Sequence, residues 1–286
     1  MKLTRLLAAL LAAPAIALAQ TYPAKPVRVI VTFPPGSTPD IVGRTLASRL
    51  QESMGQPFVV ENRAGAGGNV GADTVAKAAA DGYTLLVSTN GVFAINKALY
   101  KSMPFDPQKD LAPVSLLATA PQMLVVNPSL GVRDFKQFLE HVRRNPGKLS
   151  YGSVGAGSAS HLTMELLKSD AGVFIVHIPY KGFPPAVTDM LSGNIQTMFA
   201  IAPDVPSVGE LGFPQLESLA WIGLAAPAGT PREMVTRLAA EAGKQMRSAE
   251  VRGLLGHGRL AAGTSAMRAR RTPSRRAAET KIVASS

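Results

Sequence analysis

Two segments of the chain concentrate residues that could do chemistry. FPPGSTPD, residues 33 to 40, places Gly36, Ser37, Thr38 and Asp40 behind Phe33 and two prolines. SVGAGSASH, residues 153 to 161, places Ser153, Ser158 and Ser160 among Gly155, Gly157 and Ala159 and ends in His161. Both are followed by apolar residues at helical spacing, with the first helix expected to start at Ile41. The first turn of a helix has amides without internal partners, and its dipole favours negative charge. Neighbouring hydroxyls add donors, so each segment could hold a carboxylate or a phosphate, or could only cap its own helix. Serine beside histidine also raises nucleophilic chemistry, with Ser153 as nucleophile and His161 or His177 as base. The G-x-S-x-G elbow fails, however, because Tyr151 stands where its first glycine should be.

Two further loops bear on the choice. ENRAGAGGNVGAD, residues 61 to 73, contains Gly65, Gly67 and Gly71, but Asn62, Arg63 and Ala64 separate them from the preceding strand. A dinucleotide fingerprint needs its glycines directly after the first strand of the unit, so nucleotide binding is not supported. HIPYKGFPPA, residues 177 to 186, brings Lys181 and Gly182 to another helix start. The four histidines show no metal-ligand spacing, cysteine is absent, and no carboxylate pair is placed for acid/base work. The expectation is a binding protein with no cofactor, no metal and no catalytic residues. Hydrogen bonds to a charged group contribute about 1.5 to 3 kcal/mol each. Four or five of them, from two helix starts, could hold an acid at both ends without an arginine.

These loops need elements to position them. Apolar runs rich in β-branched residues recur at 27–33, 57–62, 84–89, 123–127, 149–154, 173–180, 195–199 and 219–227. Helical periods lie between most of them: Val42, Leu46 and Leu50; Phe135, Phe138, Leu139 and Val142; Leu162 and Leu166; Val187 and Leu191. Met234, Val235, Leu238, Ala242 and Met246 form a further stripe. Alternating strands and helices predict an α/β fold with mixed, mainly parallel sheets in two lobes. Lobe one would take residues 20–121 and about 222–256, lobe two 122–221, with the ligand cleft at the strand ends between them. Residues 101 to 113 read as a loop rich in Pro, Asp and Lys.

Composition sets the outer limits. A chain of 286 residues with 46% hydrophobic content can bury a substantial core. MKLTRLLAALLAAPAIALAQ has Lys2 and Arg5 ahead of an apolar run ending in Ala17-Leu18-Ala19, which predicts a cleaved signal peptide over residues 1–19 and an exported, periplasmic protein. The run from Leu6 to Ala19 is shorter than the roughly 20 residues that span a bilayer. The formal charge of +11 is concentrated at the ends: residues 257–286 carry a net +6 and the leader +2, leaving +3 for the body. No aromatic residues interleave with the basic tail, so no nucleic-acid partner is expected.

YPAKPVRVIVTFPPGSTPDIVGR, VVENRAGAGGNVGADTVAKAAADGYTLLVSTNG, KLSYGSVGAGSASHL, VHIPYKG and WIGLAAPAGTP resemble the Bug family, the periplasmic solute receptors of tripartite tricarboxylate transporters. The likeness runs from about Tyr22 to about Leu255. It implies a two-lobed, type II periplasmic-binding-protein fold and a monomer. Such a receptor closes on a small carboxylate (a dicarboxylate, tricarboxylate, acidic amino acid or aromatic acid) and delivers it to membrane permease subunits. The implied ligand loops fall on Phe33 to Asp40, on Ala64 to Asn69 with Ala66 and Gly67, and on Thr89 to Gly91 with Asn90. In lobe two they fall on Ser153 to His161 and on Tyr180 to Gly182. Relatives commonly have glycine where Ser37 stands, a hydroxyl residue at Pro39 and aspartate at Ala200. After that aspartate they carry a helix and a strand that this chain lacks, and the tail from residue 257 departs from their closing helix. A shortened second lobe is therefore expected, with a degenerate receptor or an exported serine hydrolase as the alternative functions.

Overall fold

A computed structural model describes residues 22–200, 219–255 and 261–262. Residues 1–21, 201–218, 256–260 and 263–286, on which the expected signal peptide and most of the basic tail fall, lie outside the described residues.

The strands form two sheets. In the first, β1 (Val27–Val31) lies between β2 (Phe58–Asn62) and β3 (Thr84–Thr89), both parallel to it. The β-branched residues Val27, Val29, Ile30 and Val31 are buried on both faces, as a strand covered on each side requires. Beyond β3 the sheet turns antiparallel through β9 (Leu219–Pro227), β4 (Leu111–Pro121) and the short β10 (Ala261–Ala262). The second sheet has β6 (Ser150–Ser153) parallel to β7 (Val176–Pro179) and β8 (Thr197–Ala200), with β5 (Met123–Val126) antiparallel at its edge. Both sheets are mixed, with a parallel centre.

Helices cover the faces. In the first unit α1 (Thr38–Met54) and α2 (Asn69–Ala76) form crossovers, and α3 (Asn96–Leu99) follows a π-helical turn at Gly91–Ile95. In the second, α4 (Phe135–Arg144), α5 (Ala159–Ala171) and α6 (Phe183–Leu191) pack on the sheet. The C-terminal α7 (Arg232–Met246) and α8 (Ala249–Leu255) return to the first unit. Leu238, Ala242, Met246, Val251 and Leu255 share one core with Val29, Leu46 and Leu50, and Arg49 of α1 pairs with Glu250 of α8. Among the described residues no helix is long and apolar enough to cross a membrane.

Two expectations need correction. No strand is expected between residues 89 and 123, yet β4 is the longest strand among the described residues. Its sequence LAPVSLLATAP has one β-branched apolar residue and a proline at 113, a strand-breaking signature. Proline is tolerated here because β4 bulges between Pro113 and Ser115 and again between Leu116 and Ala118. Helix α1 starts at Thr38 rather than Ile41, because Pro39 sits in the first turn, where no N–H is needed.

Candidate functional site

The loops after β1 and β6 meet at the gap between the sheets. Ser37 takes the N-cap position of α1, but its Oγ donates to Pro34 O at 2.6 Å instead of capping the helix. The hydroxyl therefore leaves the first amides of α1 unserved by its side chain. Asp40 does not face the gap either. Its Oδ2 accepts the Gly36 N–H at 2.9 Å, its Oδ1 accepts from Asn62 at 2.7 Å, and Arg44 pairs with the same carboxylate. Burial alone would raise the Asp40 pKa, but hydrogen bonds from Arg44, Asn62 and Gly36 outweigh it and hold the carboxyl below its usual value. Asp40 is a brace for the loop.

The start of α5 is built differently. Ser158 caps His161 N at 3.3 Å, Ser160 Oγ accepts the Val154 N–H at 3.1 Å, and the two hydroxyls lie 3.0 Å apart. The amides of Ala159 and Ser160, in the first turn, have no acceptor one turn back. His161 turns away from the gap and accepts the Gly157 N–H on Nδ1 at 3.1 Å.

Behind this loop lies a stack of three rings. His177 is sandwiched between Tyr151, at 4.7 Å between centroids, and His161, at 4.2 Å. Burial and then the neighbouring His161 push the His177 pKa down to about 4, and burial lowers that of His161 as well. The Tyr151 hydroxyl donates to Glu165 at 2.5 Å, and Lys168 bonds the same carboxylate. Ser153 Oγ lies 2.7 Å from His177 Nε2, the contact that a serine hydrolase would use. Ser153 is nevertheless 0% exposed and lines neither cavity described below. Among the described residues no carboxylate hydrogen-bonds His177. The pair locks the end of β6 to β7 and is not an activated nucleophile.

Two cavities open between the sheets. The larger, of about 650 Å³ including its mouth, is lined by Phe33, Ser37 and Thr38 at the start of α1, by Thr89 and Asn90 after β3, and by Ser158, Ala159, Ser160 and Gly182 from the second unit. Pro39, Gln122, Val154, Phe183, Phe199, Ala200, Ala220, Trp221 and Ile222 complete the wall; Pro39 and Val154 fall within the ligand loops the resemblance implies and Ala200 is one of its departures, but the other six are not anticipated from the sequence. Most of them read as core residues of strands. The one usable signal is Trp221, the only tryptophan of the chain, placed at the sheet end beside Phe93. No charged side chain lines this cavity among the described residues. The smaller cavity, of about 310 Å³, shares Phe33 and Val154 with the larger and holds Ala66, Gly67, Gly155 and the exposed Lys181.

Gly36, Asp40, Ser153, Gly157 and His161 line neither cavity. Gly67 and Gly157 instead form a seam between the units. A Cβ at Gly67 would lie 2.8 Å from Ala156 O, and one at Gly157 would lie 2.5 Å from Asn96 Oδ1. These glycines let two backbones approach and close the cleft at its rim.

This arrangement has known counterparts. Residues 42–203 match the family described as tripartite tricarboxylate transporter family receptor. The chain is 38% identical to Protein BugT of Bordetella pertussis, over 83% of each chain. A structure from R. palustris solved with adipate superposes with a TM-score of 0.81 at 33% identity, covering 86% of this chain and 91% of that one. MatC from Rhodopseudomonas palustris, solved with bound malate, gives 0.76 at 30% identity, covering 82% and 89%. Family, fold and cleft agree: the chain belongs to the Bug-type receptors of tripartite tricarboxylate transporters, a family of periplasmic solute-binding proteins and not of enzymes.

Proposed function

We propose that this protein captures a small carboxylate in the periplasm and presents it, as a monomer, to the membrane permease subunits of a tripartite tricarboxylate-type transporter. One observation carries the reading. The starts of α1 and α5, each from a different sheet unit, line the same cavity, and among the described residues no charged side chain lines it to compete with an anion. Partnerless first-turn amides and the helix dipoles supply the positive field that an acid needs. The adipate and malate held by relatives support the ligand class. The leader of residues 1–19 supports export.

In this reading lobe one comprises residues 20–121 and about 222–256, and lobe two residues 122–221. The binding loops on the two lobes close on the ligand, so ligand binding favours the closed state. Thermal unfolding of the full chain with a panel of organic acids tests the proposal. A cooperative transition raised by at least one acid supports it. A cooperative transition that no acid moves at millimolar concentration refutes carboxylate capture, and a chain with no cooperative transition at all is the degenerate receptor.

A further inference from the structure

Gln122 is the single residue between β4 and β5, and so between the first sheet and the second. It is 5% exposed, lines the larger cavity, and its Oε1 has no hydrogen-bond partner. Thr89 Oγ1 and Asn90 Oδ1, on the same cavity, are likewise buried and unpartnered. Buried polar atoms are rarely left unpaired, because an unmade bond forfeits the hydration the atom would have kept in water. Three such oxygens on residues that line one space point to a place where a bound molecule supplies hydrogen.

The rest of the wall restricts that molecule. Phe33, Phe199, Trp221 and Ile222 give it an apolar surface, and the Trp221 ring is held by stacking on Phe93 at 5.6 Å and 11°. A fixed aromatic face suits a flat body. With no cationic side chain lining the cavity among the described residues, a second carboxylate there would be desolvated without a counter-charge. An uncharged hydroxyl meets both conditions, because it can donate to an amide oxygen and tolerates apolar neighbours.

Building on the carboxylate-receptor reading, we infer that the larger cavity selects a monocarboxylic acid with a flat apolar body and a hydroxyl opposite the carboxylate, and that Gln122 is the specificity-determining residue that accepts from this hydroxyl. The carboxylate takes the amides of α1 and α5, and the hydroxyl takes the end lined by Thr89, Asn90 and Gln122.

Calorimetric titration of the full chain with 4-hydroxybenzoate, 4-methoxybenzoate, benzoate, adipate and malate tests this. The expected order has 4-hydroxybenzoate tighter than benzoate and 4-methoxybenzoate by about tenfold or more, since both lack the hydrogen that the site accepts. Adipate and malate are expected to bind weaker than any aromatic acid. Gln122→Met, which keeps the side-chain length, should remove the hydroxyl preference, read as the ratio of 4-hydroxybenzoate to benzoate affinity within the variant, which should fall to about one. Tighter binding of adipate or malate overturns the inference and leaves carboxylate capture standing, whereas a cooperatively folded protein that binds no acid refutes both. A hydroxyl preference that survives Gln122→Met removes the role of Gln122. If that variant does not fold, equal affinity of the wild-type chain for the hydroxy and methoxy acids overturns the inference on its own.

Discussion

Gly157 of the second unit meets Asn96 of the first: a Cβ added to Gly157 would lie 2.5 Å from Asn96 Oδ1 and 2.8 Å from Leu99 Cδ2. Asn96 is fully buried and its Nδ2 is committed to Gly67 O and Asn69 Oδ1, so it has no room to retreat. Gly157 also has a φ of 81°, where a side chain is strained by about 1 to 2 kcal/mol. Gly157→Ala should therefore hold the lobes apart. Ligand affinity should fall about tenfold or more, as 1.4 kcal/mol of lost closure requires. Calorimetry of the variant, with circular dichroism to confirm an intact fold, checks it.

The histidine stack gives stability a defined pH dependence. His177 titrates near 4 in the fold but near its ordinary value of about 6.5 in the unfolded chain. Below about pH 6.5 the unfolded chain therefore binds a proton that the folded one refuses, so stability falls as pH drops from about 6.5 to about 4. His161, lowered in the same direction, adds to the slope, with Glu165 opposing and Lys168 reinforcing the shift of both rings. His177→Gln keeps a partner for Ser153 and should flatten the midpoint temperature across this window. A slope unchanged in the variant would place the titrating group elsewhere.

Asp40 separates loop support from ligand contact. Asp40→Ala leaves the Gly36 N–H and the Asn62 amide without their acceptor and removes the partner of Arg44, a loss of about 2 kcal/mol. Asp40→Asn retains part of the bonding. Because the carboxylate lines neither cavity, its affinity for acids should stay within about threefold of wild type. Urea unfolding and titration measure the two effects separately.

Ala159 gives direct access to the amides. It is the first residue of α5, where proline is tolerated, and Ser158 before it is already extended at φ −67° and ψ 160°, the range proline demands of its neighbour. Ala159→Pro should keep the helix and delete one N–H at the cavity. A hydrogen bond to a charged group contributes about 1.5 to 3 kcal/mol, so acid affinity should drop about tenfold or more while unfolding remains cooperative. Unchanged affinity would mean that this amide does not touch the ligand.

Much of this architecture is legible in the chain. The runs VRVIV, TLLVST and FVVEN are dense in β-branched residues because the parallel strands they form are covered on one or both faces. The loops after β1 and β6 stand out because donors and glycines rarely cluster without a geometric reason. What is not legible depends on distant partners. Strand β4 is hidden by Pro113, whose missing donor falls at a bulge set by β9. Asp40 reads as a ligand group and becomes a brace, because its own loop amide and Asn62 reach it first. Phe199, Ile222 and Gln122 give no signal of a cavity, since residues lining an apolar cleft have the composition of a core.

The central claim is that the cleft recognises a carboxylate through helix-terminal amides. Its most direct test is calorimetric titration of the full chain with benzoate, adipate and malate, each against its own primary amide. An amide preserves shape and removes the charge. Charge-assisted bonding predicts measurable affinity for at least one acid and a loss of about thirtyfold or more for the corresponding amide. Equal affinity for an acid and its amide, or binding of the amide alone, would contradict the claim.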